Sequence, residues 1–266
     1  RSSGHKTVGL EYGVERDAYI LFYEMFKRLN PQVAVVDVSE IVDELKMIKD
    51  EYEIAAIREA GLKARSALEK VVDAIKPGVS ETEIAGEIYS ILYKQGSEQP
   101  LVYVNAGPYP RIHAEPFHDS RVVENTFVTI IVGADHNGYY ANKSITLYIG
   151  QPSGMAEKAL KCMEEVYEKA FELTKPGVRF IDVMMELDKI YSKHGLLDYR
   201  VQGYAHSVGL KIEETPITTI LVKHRFITVR EDMALAYIHA PIVLNGLGQV
   251  KIEDTFIITS KGGVKV

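Results

Sequence analysis

The spacing of apolar residues changes several times along the chain, and each change marks an element. Thr7 to Leu10 is a short apolar run that reads as a strand. Arg16 to Leu29 carries Ala18, Leu21, Phe22, Met25, Phe26 and Leu29 at helical spacing and stops at Asn30-Pro31. Val33 to Val38 is almost continuously apolar, as expected of a buried parallel strand. Ser39 then caps a short helix over Glu40 to Met47. One strand–helix–strand–helix unit cannot bury both faces of its strands. Residues 1–43 therefore read as the end of an α/β domain whose first part precedes Arg1.

From Lys49 the pattern becomes a long helix with Ile54, Ala55, Ile57, Ala60, Leu62, Ala67, Leu68, Val71 and Val72 on its apolar positions, ending at Lys76-Pro77-Gly78. Ser80-Glu81-Thr82-Glu83 is a capping box that opens a second helix, which runs to Gly96. Glu69–Gly96 and Glu168–Gly195 align without a gap at an offset of 99 residues. They share Glu-Lys, Lys-Pro-Gly-Val, a mid-helix Glu, an Ile, a Lys and the final Gly. Such a match implies two similar halves, each a helix pair followed by strands. In the first half the expected strands are Leu101–Asn105, Thr126–Val132 and Tyr139–Ile149, with Asn137-Gly138 turning the last hairpin. In the second they are Ile217–Val222, Met233–His239 and Gly248–Ser260, with a final hairpin closing at Lys261-Gly262-Gly263. Two halves facing each other leave a cleft, a usual place for a ligand.

Composition narrows the function classes. The 266 residues carry a net charge of −6 and no Lys/Arg-rich run, so neither nucleic acid nor a membrane surface is an expected partner. No apolar run approaches the ~20 residues that span a bilayer. The single cysteine, Cys162, excludes an internal disulfide framework, fits a cytoplasmic protein, and reads as a core residue of a helix. No signal peptide appears at the start of the sequence.

The candidate chemistry centres on Tyr199–Leu210, an apolar, glycine-punctuated run with His206 in its middle. A histidine there can be a metal ligand, a base or a proton donor, or a core histidine bonded to a carbonyl. Ser207 follows the histidine and is not in a Gly-x-Ser-x-Gly context, so a serine-hydrolase elbow is not indicated. No nucleotide-binding glycine motif occurs. Met184, Met185 and the helical tyrosines read as core; Glu164, Glu165, Glu168 and Lys169 read as an exposed helix face. His118 and His136 sit in polar turns, and His224, beside Lys223 and Arg225, reads as surface.

The doubled half, Leu45–Ile54, the His206–Leu210 run and Val250–Thr255 together resemble the pita-bread peptidases, a family that includes prolidase, Xaa-Pro aminopeptidase, methionine aminopeptidase and creatinase. The resemblance covers residues 44–266 and implies an α+β fold: a curved antiparallel sheet with a pseudo-twofold repeat and helices outside it. Residues 1–43 resemble the end of the family's amino-terminal domain. Peptidases of the family hold two metal ions with Asp, Asp, His, Glu and Glu. Carried over by position, those ligands fall on Ile131, Asn142, His206, His239 and Glu253. With three of five changed, no dinuclear site is expected, because two divalent ions need several carboxylates to offset their repulsion. One ion held by Asn142, His206, His239 and Glu253 remains an open alternative.

Leu196–Arg200, Gly203–Ser207 and Gly138–Tyr140 are similar to creatinase, the member that works without metal. This likeness implies His113 as base, Glu253 as a cation-binding or water-orienting carboxylate, and Tyr140 as a hydrogen-bond donor. His206 completes the expected catalytic set, and His239, Glu213 and Ser144 are expected to contact substrate. Ser144 stands where creatinase has a glutamate, and Glu213 where the family has a second substrate histidine, which counts against creatine itself. Three functions follow: a hydrolase of a C–N bond in a small or dipeptide-like substrate, an Xaa-Pro peptidase with a reduced metal site, or a non-catalytic homologue that binds a peptide or protein. A homodimer is expected.

Overall fold

The computed structural model describes residues 18–266, and the expected strand at Thr7–Leu10 lies outside them. The chain divides after Val42 into two compact units. In the first, helix α1 covers Ala18–Leu29, and α2 (Ser39–Met47) starts there and ends in the second unit. The strand expected at Val33–Val38 is not formed. A strand needs a neighbour to take its hydrogen bonds, and none of the described strands pairs with this run. Its valines stay open, with Val36 71% exposed.

The second unit contains the duplicated halves. In the first half α3 (Glu51–Val71) and α4 (Glu81–Lys94) precede β1 (Leu101–Ala106), β2 (Phe127–His136) and β3 (Tyr139–Tyr148). In the second, α5 (Met155–Leu173) and α6 (Phe180–Lys193) precede β4 (Ala205–Ser207), β5 (Glu214–Ile217), β6 (Ala234–Tyr237), β7 (Ile242–Leu244), β8 (Gly248–Val250), β9 (Glu253–Thr259) and β10 (Gly262–Lys265). The repeat survives in detail. α4 and α6 are both 14 residues long and begin and end 99 residues apart. The glycines of the two Lys-Pro-Gly turns, Gly78 and Gly177, share φ +91°, a conformation that suits glycine alone without strain. Only the first half keeps the capping box: Ser80 caps α4 through Glu83, whereas α6 begins on an Arg179–Asp182 ion pair.

The described strands form an antiparallel sheet in the order β1-β2-β3-β9-β6-β4-β5, with β10 on β9, and a separate β7–β8 pair. The halves meet where β3 pairs with β9, through Lys143↔Asp254 and Ser144↔Glu253. α3 packs against this seam. Its Ile57 and Ala60 meet Ala141, Val208, Ala234, Ala236 and Ile257 in one cluster. Two larger cores lie to either side, one under α4 with β1 and β2, the other under α5 and α6. Each fully buried Ile or Leu in them contributes about 1.5–3 kcal/mol. Cys162 is one of these core residues, as is Met184, whereas Met185 is exposed. No helix among the described residues is long and apolar enough to cross a membrane.

Three sequence expectations are corrected in the second half. Ile217–Val222 is not a strand: β5 ends at Ile217, and a 3₁₀ turn follows over Val222–Phe226. The Ile217 amide donates to His224 Nδ1 at 2.9 Å, and this folds the chain back. His224 is consequently buried rather than on the surface. Gly248–Ser260 is two strands, broken at Lys251-Ile252, where Lys251 turns inward.

Gly203 tests how tightly this half is assembled. It sits at φ +92°, and a Cβ there would lie 2.6 Å from the Thr219 backbone. Gly203→Ala should cost on the order of 2–3 kcal/mol by urea denaturation; a loss under ~0.5 kcal/mol would mean the two segments are not in close contact.

Candidate active site

The site is assembled across the seam. His206 lies in β4, between Ile217 of β5 and Ala236 of β6. His239 follows β6, and its amide donates to the Tyr204 carbonyl at 2.8 Å. Glu253 opens β9 opposite Ser144. Asn142 lies two residues before Ser144 on the same face of β3. All five side chains are buried.

The hydrogen bonds assign the imidazole tautomers. His206 Nδ1 lies 2.9 Å from the Ser207 carbonyl and must donate there. Its Nε2 lies between the Asn142 amide nitrogen at 3.4 Å and Glu253 Oε1 at 3.5 Å. His239 Nδ1 is 2.9 Å from Glu253 Oε1 and 3.3 Å from Lys251 Nζ. An ionised carboxylate only accepts and an ammonium only donates, so the two claims on Nδ1 exclude each other; the shorter, charge-assisted contact makes Nδ1 a donor to Glu253. His239 Nε2 then faces Glu213 Oε1 at 3.6 Å with its lone pair.

Lys251 was not among the expected site residues. Its side chain is 1% exposed, and its Nζ lies 3.1 Å from Glu253 Oε2, near enough for an ion pair but off the hydrogen-bonding direction, since Oε2 makes no hydrogen bond. Burial by itself would raise the Glu253 pKa. The Lys251 ammonium, followed by His206 and His239, instead holds the carboxyl well below its ordinary value of 4.5. Burial pushes His239 well below its ordinary 6.5, helped by Lys251 and His206. His113 is lowered by burial and then by Lys251.

His113 reaches the cluster from a loop between β1 and β2. Its ring centroid lies 4.7 Å from that of His239, with Tyr103 stacked on the other side at 5.7 Å. The loop hangs on buried Glu81, which accepts from the Ala106 and Phe117 amides at 2.7 and 2.8 Å and from the Arg111 guanidinium. His113 itself has φ +50°, a left-handed conformation uncommon for a residue with a Cβ and often found at functional sites. His113 and His239 border a cavity of ≈ 180 Å³ whose other walls are Ile112, Val201, Thr219, Ile220, Ala240 and Pro241. The Thr219 hydroxyl is buried there without a hydrogen-bond partner.

The structure thus gathers His113, His206, His239, Glu253, Glu213, Asn142 and Ser144, the last with its hydroxyl unpartnered. It does not bring Tyr140 into the group. The Tyr140 hydroxyl donates to the Gln99 carbonyl at 2.9 Å near the β2–β3 turn and has no proton free for the cleft. Ile131, buried opposite Ser144, presents only carbon. Among the described residues, two sets have donor atoms close enough to hold an ion: His206, His239 and Glu253, all buried, and His113, Glu213 and His239, nearer the surface, with donors within 4.8 Å of one another in each.

A curved sheet of two repeated halves, with paired helices outside and a histidine–carboxylate cleft at the seam, is the pita-bread architecture of a hydrolase class. A family model, that of metallopeptidase family M24, matches residues 55–260, and the chain belongs to this family. Among its relatives is the "Probable dipeptidase PepE" of Mycobacterium tuberculosis, 28% identical over 233 residues that cover 86% of this chain and 60% of that one. The Xaa-Pro dipeptidase of Pyrococcus furiosus is 25% identical over 256 residues, covering 96% of this chain and 72% of that one. In three dimensions the chain is similar to prolidase from Pyrococcus furiosus (TM-score 0.82, 25% identity, 91% of this chain and 72% of that one) and to the Xaa-Pro dipeptidase from Bacillus anthracis (TM-score 0.82, 27% identity, 91% and 68%). The chain spans 60% of the length of the mycobacterial relative.

Two measurements check the electrostatics. Lys251→Met strands a buried carboxylate and should cost about 3–5 kcal/mol in urea denaturation, part of which Glu253→Gln in the same chain should restore; a loss below ~1 kcal/mol would contradict the ion pair. The second is pH dependence with a chelator present. Because the folded pKa of His239 and His113 lies below 6.5, the unfolded chain binds more protons just below that pH, and stability falls as pH drops through the window. Glu253 contributes stability that is complete above 4.5 and lost below it. His239→Asn should flatten the slope between pH 6.5 and 5 by up to ~1.4 kcal/mol per pH unit; an unchanged slope would remove His239 as its source.

Proposed function

We propose that the chain is a hydrolase of a C–N bond in a small or dipeptide-like substrate, and that it works without the dinuclear metal centre of its family. The observation that carries this reading is Lys251. Its ammonium lies 3.1 Å from the one carboxylate left among the five ligand positions. A divalent ion placed ~4 Å from that charge would meet a repulsion of about 8 kcal/mol at an effective dielectric constant of 20. Ile131 adds no donor, and Asn142 and His239 bring no charge to balance an ion. These residues do not fit two metal ions.

The rest of the cleft supports hydrolysis of a small molecule. The cavity of ≈ 180 Å³ is below the ~300–1,000 Å³ of drug-sized sites, and its apolar walls suit a compact side chain or ring. Thr219 offers it a hydroxyl, and His113 and His239 face it in neutral form, as a base or ligand must be. Glu253, fixed by Lys251, sets the tautomer and direction of His239. The dipeptidases among the chain's relatives support the same reaction class.

A turnover screen of proline dipeptides, small amides and guanidines tests the reading. His113→Ala should reduce turnover of any substrate found by at least ~100-fold, the usual scale for losing an acid–base group. Unchanged turnover would refute the role of His113, and no turnover of any C–N substrate by the wild type would refute the reaction class.

A further inference from the structure

His239 faces two sets of partners across its ring. Its Nδ1 proton is committed to Glu253. An ion in the inner group of His206, His239 and Glu253 would have to displace that proton and approach Lys251. An ion on the other side of the ring leaves that proton in place and has the imidazole between it and Lys251. There the Nε2 lone pair points toward Glu213 Oε1 at 3.6 Å, and the His113 ring lies 4.7 Å away, centroid to centroid. We propose that His113, Glu213 and His239 form a mononuclear site for a divalent transition-metal ion of the zinc class, on the Nε2 side of His239, away from Glu253.

Three independent features support it. The donor set is two imidazoles and one carboxylate, which in zinc enzymes leaves a fourth position open for water or substrate. The open side borders the cavity that His113 and His239 line. A metal-ligating histidine characteristically donates its second ring N–H to a carboxylate, which fixes the tautomer and makes the ligand more basic. Glu253 stands in that relation to His239. The left-handed backbone at His113 is a further cost that a bound ligand would explain. A tetrahedral zinc site needs donors roughly 3.3–3.5 Å apart. The His239–Glu213 pair, at 3.6 Å, is already near this spacing, and all three donors lie within 4.8 Å of one another.

The ion's catalytic meaning rests on the hydrolase reading, but its binding does not, so the test reads binding alone. Chelator-stripped protein is titrated with Zn²⁺ by calorimetry and with Co²⁺ by visible absorption, which reports coordination geometry. The expected result is one ion per chain, with a tetrahedral Co²⁺ spectrum. Glu213→Gln and His113→Ala should each weaken binding at least ~10-fold, while His206→Ala changes it less than ~3-fold. Circular dichroism of each variant checks that it is folded. Three results would overturn the proposal: no binding by the folded wild type at ~100 μM metal, two ions per chain, or binding lost in His206→Ala and kept in the other two variants. A bound ion without turnover of any C–N substrate would instead remove the hydrolase reading and leave the site standing.

Discussion

A carboxylate with no exposed surface must be compensated within a few ångströms, and Glu253 meets that requirement at the seam between the two halves of the sheet. The register there is set by two residue pairs, and alternate residues of a strand face opposite ways. Lys143 and Asp254 pair toward one side, where Tyr167 and Lys265 join them. Ser144 and Glu253 face the cleft. A slip of one residue would exchange these sets, placing the Lys143–Asp254 pair in the cleft and stranding Glu253 on the helix side. The seam and the site therefore depend on each other.

The compensation also relates this chain to its family in terms of charge. The resemblance assigns four carboxylates and two divalent ions to the same place, a combination with no net charge. Here the buried carboxylate of Glu253 is balanced by the Lys251 ammonium, and Glu213 adds a half-buried carboxylate beside them. A buried pair must be balanced whatever the site does. Balance alone does not distinguish an enzyme from a binding protein. The cavity beside His113, and the lone pairs that face it, favour the enzyme.

Much of the fold was legible because its signals are local. The capping box at Ser80 and Glu83, the Asn137-Gly138 turn and the paired Lys-Pro-Gly stops each specify their own geometry, and the 99-residue repeat joins them into halves. What failed depended on distant partners. Val33–Val38 has the composition of a strand but no described neighbour to pair with. Ile217–Val222 is apolar, yet its first amide is taken by His224, seven residues on. In the site, His206, His239 and Glu253 were placed by the resemblance, through the spacing of the family's ligands, and the structure brings all three together. Lys251 was not so placed. It lies at the break between β8 and β9 and turns inward there. Its one signal was the alternation itself, since Lys251 and Glu253 are two residues apart and fall on one side of an extended chain. Tyr140 failed for the converse reason: it shares a strand face with Asn142, but its hydroxyl found a carbonyl at the end of the hairpin.

His206 began as a choice between a ligand and a core histidine bonded to a carbonyl, and its geometry satisfies both descriptions at once. The Ser207 carbonyl holds Nδ1, and that bond turns Nε2 toward Asn142 and Glu253. His239 resolves differently, because a carboxylate rather than a carbonyl stands behind it. Either acceptor fixes the tautomer and orientation of the ring, and the carboxylate also brings a charge to it. His239 Nε2 faces Glu213 Oε1 at 3.6 Å, on the side of the ring away from Glu253, and the ring borders the cavity. The resemblance implies a carboxylate at position 239, and the histidine that stands there donates to Glu253 where a second carboxylate could not.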